Sequence, residues 1–175
     1  LDMRLNPTQG QTLLEFLKTV KKEDLETIIK EFGEERFFRR IASFIVRARE
    51  EGNLPKTTVE LAELIKRSVP TQYRFGRIHP ATRTFQALRI AINDELGELD
   101  ALLDRVMILL KPGGRAAVIS FHSLEDRKVK NAFKTLAATG EYQILTKKPI
   151  VPSDEEINAN PRARSAKMRV IERLR

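Results

Sequence analysis

The stretch LLKPGGRAAVISFHSLEDR (residues 109–127) constrains this chain more than any other, because it encodes a helix end, a tight turn, a strand and a new helix. Proline cannot continue a helix, and glycine tolerates the positive φ that follows one, so Pro112-Gly113-Gly114 is a stop signal. Arg115 to Ser120 is a short, almost unbroken apolar run, the pattern expected of a parallel strand covered on both faces. Ser123-x-x-Asp126 reads as a capping box opening the next helix. In open α/β sheets the loop leaving a strand's carboxyl end borders the ligand crevice. That rule places Ser120, Phe121, His122 and Ser123 where chemistry is expected.

Composition narrows the class. The 175 residues suffice for one domain with a real core, or for a core plus a small subdomain. No run of about 18 apolar residues and no signal peptide is visible. With no cysteine and only His79 and His122, disulfides and thiolate zinc sites are excluded, and a histidine-built metal site is not expected. The reading is a cytoplasmic, metal-free protein, carboxylate-held Mg²⁺ apart. A formal net charge of +8 favours a polyanionic partner. Residues 161–175 concentrate that charge: Arg162, Arg164, Lys167, Arg169, Arg173 and Arg175 face only Glu172. Beside Pro161 and Ser165, this density reads as a phosphate-contacting loop.

From Gln11 to about Arg67 the periodicity is helical throughout, which predicts a small helical subdomain. Helices are expected near Thr12–Thr19, across Leu25–Phe32 with Gly33 as the stop, over Glu34–Glu50, and from the capping box Thr57-x-x-Glu60 to Pro70. Arg36, Arg40 and Arg47 form a stripe that either grips phosphate or is a solvated face. The basic loop TQYRFGRIHP (71–80) carries Tyr73, Arg74, Phe75 and Arg77. Its aromatics either stack on unpaired bases or pack on the core. The helix expected over Ala81–Glu95 sets Phe85, Leu88 and Ile92 against the core. Arg83, Gln86, Arg89 and Asn93, rich in donors, form a binding face on its flank. A break is expected at Gly97, then helix to Leu110, helix over Leu124–Leu136, and strands at Tyr142–Thr146 and Lys167–Leu174. One turn capped by Ser153 is expected between those strands.

Three blocks in order, HPATRTFQALRIAINDELGELDALL (79–103), LKPGGRAAVISFHSLEDRKVK (110–130) and NPRARSAKMRVIER (160–173), resemble the signature segments of the RsmH (MraW) family; LDMRLNP (1–7) is also similar to a family segment. The resemblance implies bacterial S-adenosylmethionine-dependent methyltransferases that modify cytosine N4 of small-subunit ribosomal RNA. It implies an α/β fold: the C-terminal part of a Rossmann-like sheet, over 1–10 and 70–175, with an all-α insertion over 11–69. Arg115–Ser120 would be the fifth strand of that sheet, and the last two strands its antiparallel edge.

The family's Gly-rich loop, ribose-holding acid and Asp-led motif would all precede Leu1, and nothing here approaches G-x-G-x-x-G. No cofactor-binding residue is therefore carried over, and the chain alone is expected to be an inactive partial enzyme with an exposed sheet edge open to self-association. His122 and Ser120 are the catalytic candidates, although His122 could equally be scaffold and Asp126 only a cap. Phe121 and Ser123 would line the base pocket. Arg83, Gln86, Arg89 and Asn93 would hold the nucleotide, and Arg162, Arg164 and Lys167 the flanking RNA backbone. The competing reading is a non-catalytic RNA-binding module.

Overall fold

The computed structural model describes residues 1–76 and 78–175, and of Met107 the backbone alone; Arg77 of the basic loop lies outside the described residues. The chain divides into two compact units, Leu1–Glu95 and Leu96–Arg175.

The first unit is helical. It contains α1 (Leu13–Thr19), α2 (Lys22–Gly33), α3 (Phe38–Glu50), α4 (Thr58–Ser68), the short α5 (Thr71–Arg74) and α6 (Thr82–Asn93). Helix α4 opens as its sequence predicts, with Thr57 and Glu60 forming a reciprocal capping box, and Thr12 with Glu15 opens α1 in the same way. The inward faces meet in one core that includes Leu13, Leu17, Ile29, Ile41, Leu61, Ile65 and Leu88. The unit therefore runs well past Val69, because α6 packs along α2 and belongs to the same core.

Three details depart from the sequence reading. Gly33 does not supply the left-handed stop of α2; Glu34 does, at φ 48°, and Gly33 lies buried within the last turn. What requires glycine there is close approach, since a Cβ at position 33 would meet the Arg83 carbonyl oxygen of α6 at 2.7 Å. Helix α3 starts at Phe38 rather than Glu34, so Arg36 falls outside it and no helical stripe with Arg40 and Arg47 forms. Instead the Arg36 guanidinium covers the Phe37 and Tyr73 rings at 4.7 and 4.8 Å. The break after α6 comes at Asp94, left-handed at φ 46°, and Gly97 lies inside the next helix.

The second unit is α/β. It comprises α7 (Glu95–Leu109, its first residue belonging to the helical unit), β1 (Arg115–Ser120), α8 (Ser123–Ala138), β2 (Tyr142–Ile144), α9 (Asp154–Ala159), a 3-10 turn (Pro161–Ser165) and β3 (Lys167–Arg173). Among the described residues the sheet has three strands in the order β1-β3-β2, with β3 antiparallel to both neighbours. Arg115 stands opposite Glu172 and Ser120 opposite Lys167. The Pro-Gly-Gly turn docks on β3: the Gly113 N–H, at φ 76°, donates to the Arg173 carbonyl at 2.7 Å. Val129, Phe133, Tyr142 and Ile171 centre a smaller core between α8 and one sheet face.

The expectation of a β1 covered on both faces is corrected. Among the described residues its sole strand partner is antiparallel, and its burial alternates: Ala116 and Ser120 are buried, Arg115, Ala117 and Ile119 exposed. The physical reason is that α8 covers one face only, leaving Ile119 56% exposed on the other. Among the described residues no helix is long and apolar enough to cross a membrane.

Candidate nucleic-acid interface

The loop between β1 and α8 is held by α8's own first turn. The sequence suggested a cap at Ser123 with Asp126 as its partner; the helix instead begins one residue earlier, with His122 as N-cap and Glu125 at the third helical position. The Glu125 N–H donates to His122 Nδ1 at 3.3 Å. In return the Glu125 carboxylate accepts the Phe121 N–H at 2.8 Å and the His122 N–H at 3.3 Å. An acceptor Nδ1 leaves the neutral imidazole's proton on Nε2, 3.4 Å from the Glu125 carboxylate. The His122 side chain is 8% exposed, and its Nδ1 ties the loop to the first turn of α8. Phe121 is thrown outward, 52% exposed, at the sheet's carboxyl end. Ser123 is exposed beside it as the first helical residue. Ser120 sits beneath at 2% exposure, its Oγ without a hydrogen-bond partner among the described residues.

Asp126, released from capping, points into the unit and grips Arg169 of β3. Nε–Oδ1 is 2.6 Å and NH2–Oδ2 3.1 Å, a bidentate pair with both side chains nearly buried. Lys167 Nζ stands 3.8 Å from the same carboxylate. The Arg169 guanidinium holds Asp126 below the usual carboxylate range, against the opposing push of burial, with Lys167 and Lys130 adding smaller favourable fields. Arg169 is therefore a structural cation, and the reading of the whole 161–175 segment as phosphate-contacting is corrected for it. Arg173 is also engaged, donating to the Leu110 and Arg175 carbonyls. Arg162 and Arg164, in the turn before β3, are exposed. The sequence hid the Asp126–Arg169 pair because its partners lie 43 residues apart; the one available signal was an acid at a helical position facing the core.

The four donors of α6 are built into the helical unit. Arg83 NH1 donates to the Glu34 carbonyl at 2.9 Å and Gln86 Nε2 to the Phe32 carbonyl at 3.0 Å, so both cap the end of α2. Arg89 makes a two-pronged pair with Glu95 at 2.7 and 2.9 Å. Asn93 donates to the Met3 carbonyl and accepts the Leu5 N–H at 2.7 Å, fastening the N-terminal segment. In the 71–80 loop, Tyr73 donates to Glu35 at 2.7 Å, and Arg74 donates to the Val69 and Arg67 carbonyls. Phe75 is 81% exposed.

With this geometry established, comparison with known proteins becomes decisive. The family model for the MraW methylase family matches residues 1–174. The chain belongs to the MraW methylase family. Similar proteins named "Ribosomal RNA small subunit methyltransferase H" include those of Persephonella marina (51% identical over 174 residues), Myxococcus xanthus (49% over 190) and Citrifermentans bemidjiense (47% over 190). Each match covers 99–100% of this chain but only 59–60% of the relative. The chain thus spans about three-fifths of the length of these MraW-family relatives. Its partial α/β fold, with a small antiparallel sheet, suits that coverage.

Proposed function

We propose that this chain is the part of an S-adenosylmethionine-dependent methyltransferase that grips the RNA, and that the reaction methylates N4 of a cytosine in small-subunit ribosomal RNA. The observation that carries this reading is the family match along residues 1–174, joined to an α/β unit whose exposed aromatic and arginines cluster near one sheet end. β1 and β2 run in the same direction, both antiparallel to β3. The loop bearing Phe121 leaves that sheet end, and the turn bearing Arg162 and Arg164 enters β3 there. A cytosine taken out of its stack would lie on Phe121, with Arg162 and Arg164 on the neighbouring phosphates. His122 is a positioning residue: its Nδ1 fixes the first turn of α8 and so the outward pose of Phe121.

The β1–α8 junction is a poor match to the cofactor's main grip. A strand-to-helix junction can hold a carboxylate or phosphate through free amides, but the first amides here are occupied by His122 and Glu125 of the same turn. The edge of β1 away from β3 suits the rest of a methyltransferase sheet, and Ile119 stands exposed on the face beside it.

The test is genetic and chemical together. The gene segment encoding this chain is inactivated in its host, and small-subunit rRNA is digested to nucleosides for mass spectrometry. The reading expects loss of an N4-methylcytidine. An unchanged nucleoside profile contradicts it and favours the non-catalytic RNA-binding module.

A further inference from the structure

The sheet unit contains a second concavity that the base-gripping loop does not use. Its volume is about 330 Å³, and it lies between the middle of α8 and the residues following β2. Lys130, Phe133 and Lys134 share one face of α8 by their i, i+3, i+4 spacing, and Ile144, Thr146 and Lys147 close the other side. The three lysines are exposed and make no ion pair among the described residues. The acid whose field Lys130 reaches, Asp126, is already bound by Arg169. Buried Phe133 and half-buried Ile144 supply an apolar floor. Thr146 Oγ1 accepts the Val170 N–H at 2.9 Å and so keeps its own hydrogen to donate.

An apolar floor, one hydroxyl donor and a rim of uncompensated ammonium groups together match a nucleotide: base on the floor, phosphates on the lysines. The volume falls in the range of roughly 300–1,000 Å³ usual for small-ligand sites. We propose that this pocket holds a nucleotide of the RNA substrate that flanks the target cytosine, an inference that rests on the rRNA reading above. A stretch of RNA is favoured over a free nucleotide because lysines on an open rim act as point charges along a backbone, with no glycine loop among the lining residues. Position agrees. Thr146 and Lys147 follow β2 and Phe121 follows β1, two strands that run in the same direction with the single strand β3 between them.

Single-stranded RNA carrying small-subunit rRNA sequence, with 4-thiouridine beside the target cytosine, tests this by binding titration and photo-crosslinking to the 175-residue chain. The combined variant Lys130→Gln, Lys134→Gln, Lys147→Gln should bind at least tenfold more weakly at about 0.1 M salt and lose about two units of the log–log salt slope, as three phosphate contacts on single-stranded RNA require. A control changing the exposed Lys18, Lys21 and Lys56 of the helical unit to Gln should stay within twofold. Crosslinks should map to residues 130–147. RNA affinity unchanged in the pocket variant, or crosslinks wholly outside that range, overturns the pocket while leaving the rRNA reading intact. Inorganic phosphate at 10 mM displacing RNA from the intact chain but not from the pocket variant marks a plain anion site and overturns the nucleotide. Failure of the unsubstituted chain to bind RNA contradicts the rRNA reading itself.

Discussion

The two units handle their polar groups in opposite ways. In the helical unit, Arg83, Gln86, Asn93, Tyr73 and Arg74 all bond to main chain or to side chains of the same unit. Its core is large and closed. In the sheet unit one ion pair is buried, while Phe121, Ile119, Arg162, Arg164 and three lysines of a concave pocket remain exposed. Donor-rich composition alone does not mark a binding face, because donors near helix ends find orphan carbonyls to satisfy. What marks the sheet unit is an exposed aromatic at one sheet end and a concave pocket rimmed by three lysines.

The largest expected effect is at the buried pair. Asp126→Ala leaves Arg169 as an uncompensated charge at low exposure and should cost about 3 kcal/mol in urea denaturation. A loss below about 1 kcal/mol would mean the sheet unit is held otherwise. The pH dependence has a defined sign. Because Arg169 depresses the Asp126 pKa in the folded state, the pair's contribution is complete above the unfolded carboxylate value near ~4 and is lost as pH falls through the lower folded value. Asp126→Asn should flatten the acid limb of the stability profile. An unaltered limb would remove the pair from the account.

Gly33→Ala probes the other unit. The added Cβ would press the Arg83 carbonyl at 2.7 Å, and overpacking of a backbone against a backbone should outweigh the gain in helix propensity, for a net loss of about 1–2 kcal/mol. Stabilisation would show that α2 and α6 can separate without penalty. A smaller effect separates scaffold from chemistry at His122. Loss of the cap in His122→Ala should cost about 1 kcal/mol by thermal melting, and His122→Asn, a good cap, should restore nearly all of it. An Asn variant as unstable as Ala would contradict the capping role.

Much of this architecture was legible in the sequence. The first helix near Thr12, the capping box at Thr57, the Pro-Gly-Gly stop and the last strands were set by local chemistry and appear near their expected positions. The misreadings share one cause. Gly33 and Asp126 each carry a local signature — a stop, a cap — that a distant partner overrides, and those partners lie 43 residues or more away along the chain. Local rules assign the residue a role; only the packed neighbour decides which role is realised.

The central claim is a division of labour: this chain contributes the RNA grip, and the cofactor's main grip is not built from its residues. Calorimetric titration of S-adenosylmethionine into the 175-residue chain addresses that claim most directly. The account predicts no saturable heat, because the one strand-to-helix junction among the described residues is filled by His122 and Glu125. Saturable binding at micromolar concentration would contradict it, and would place a cofactor site within the residues described.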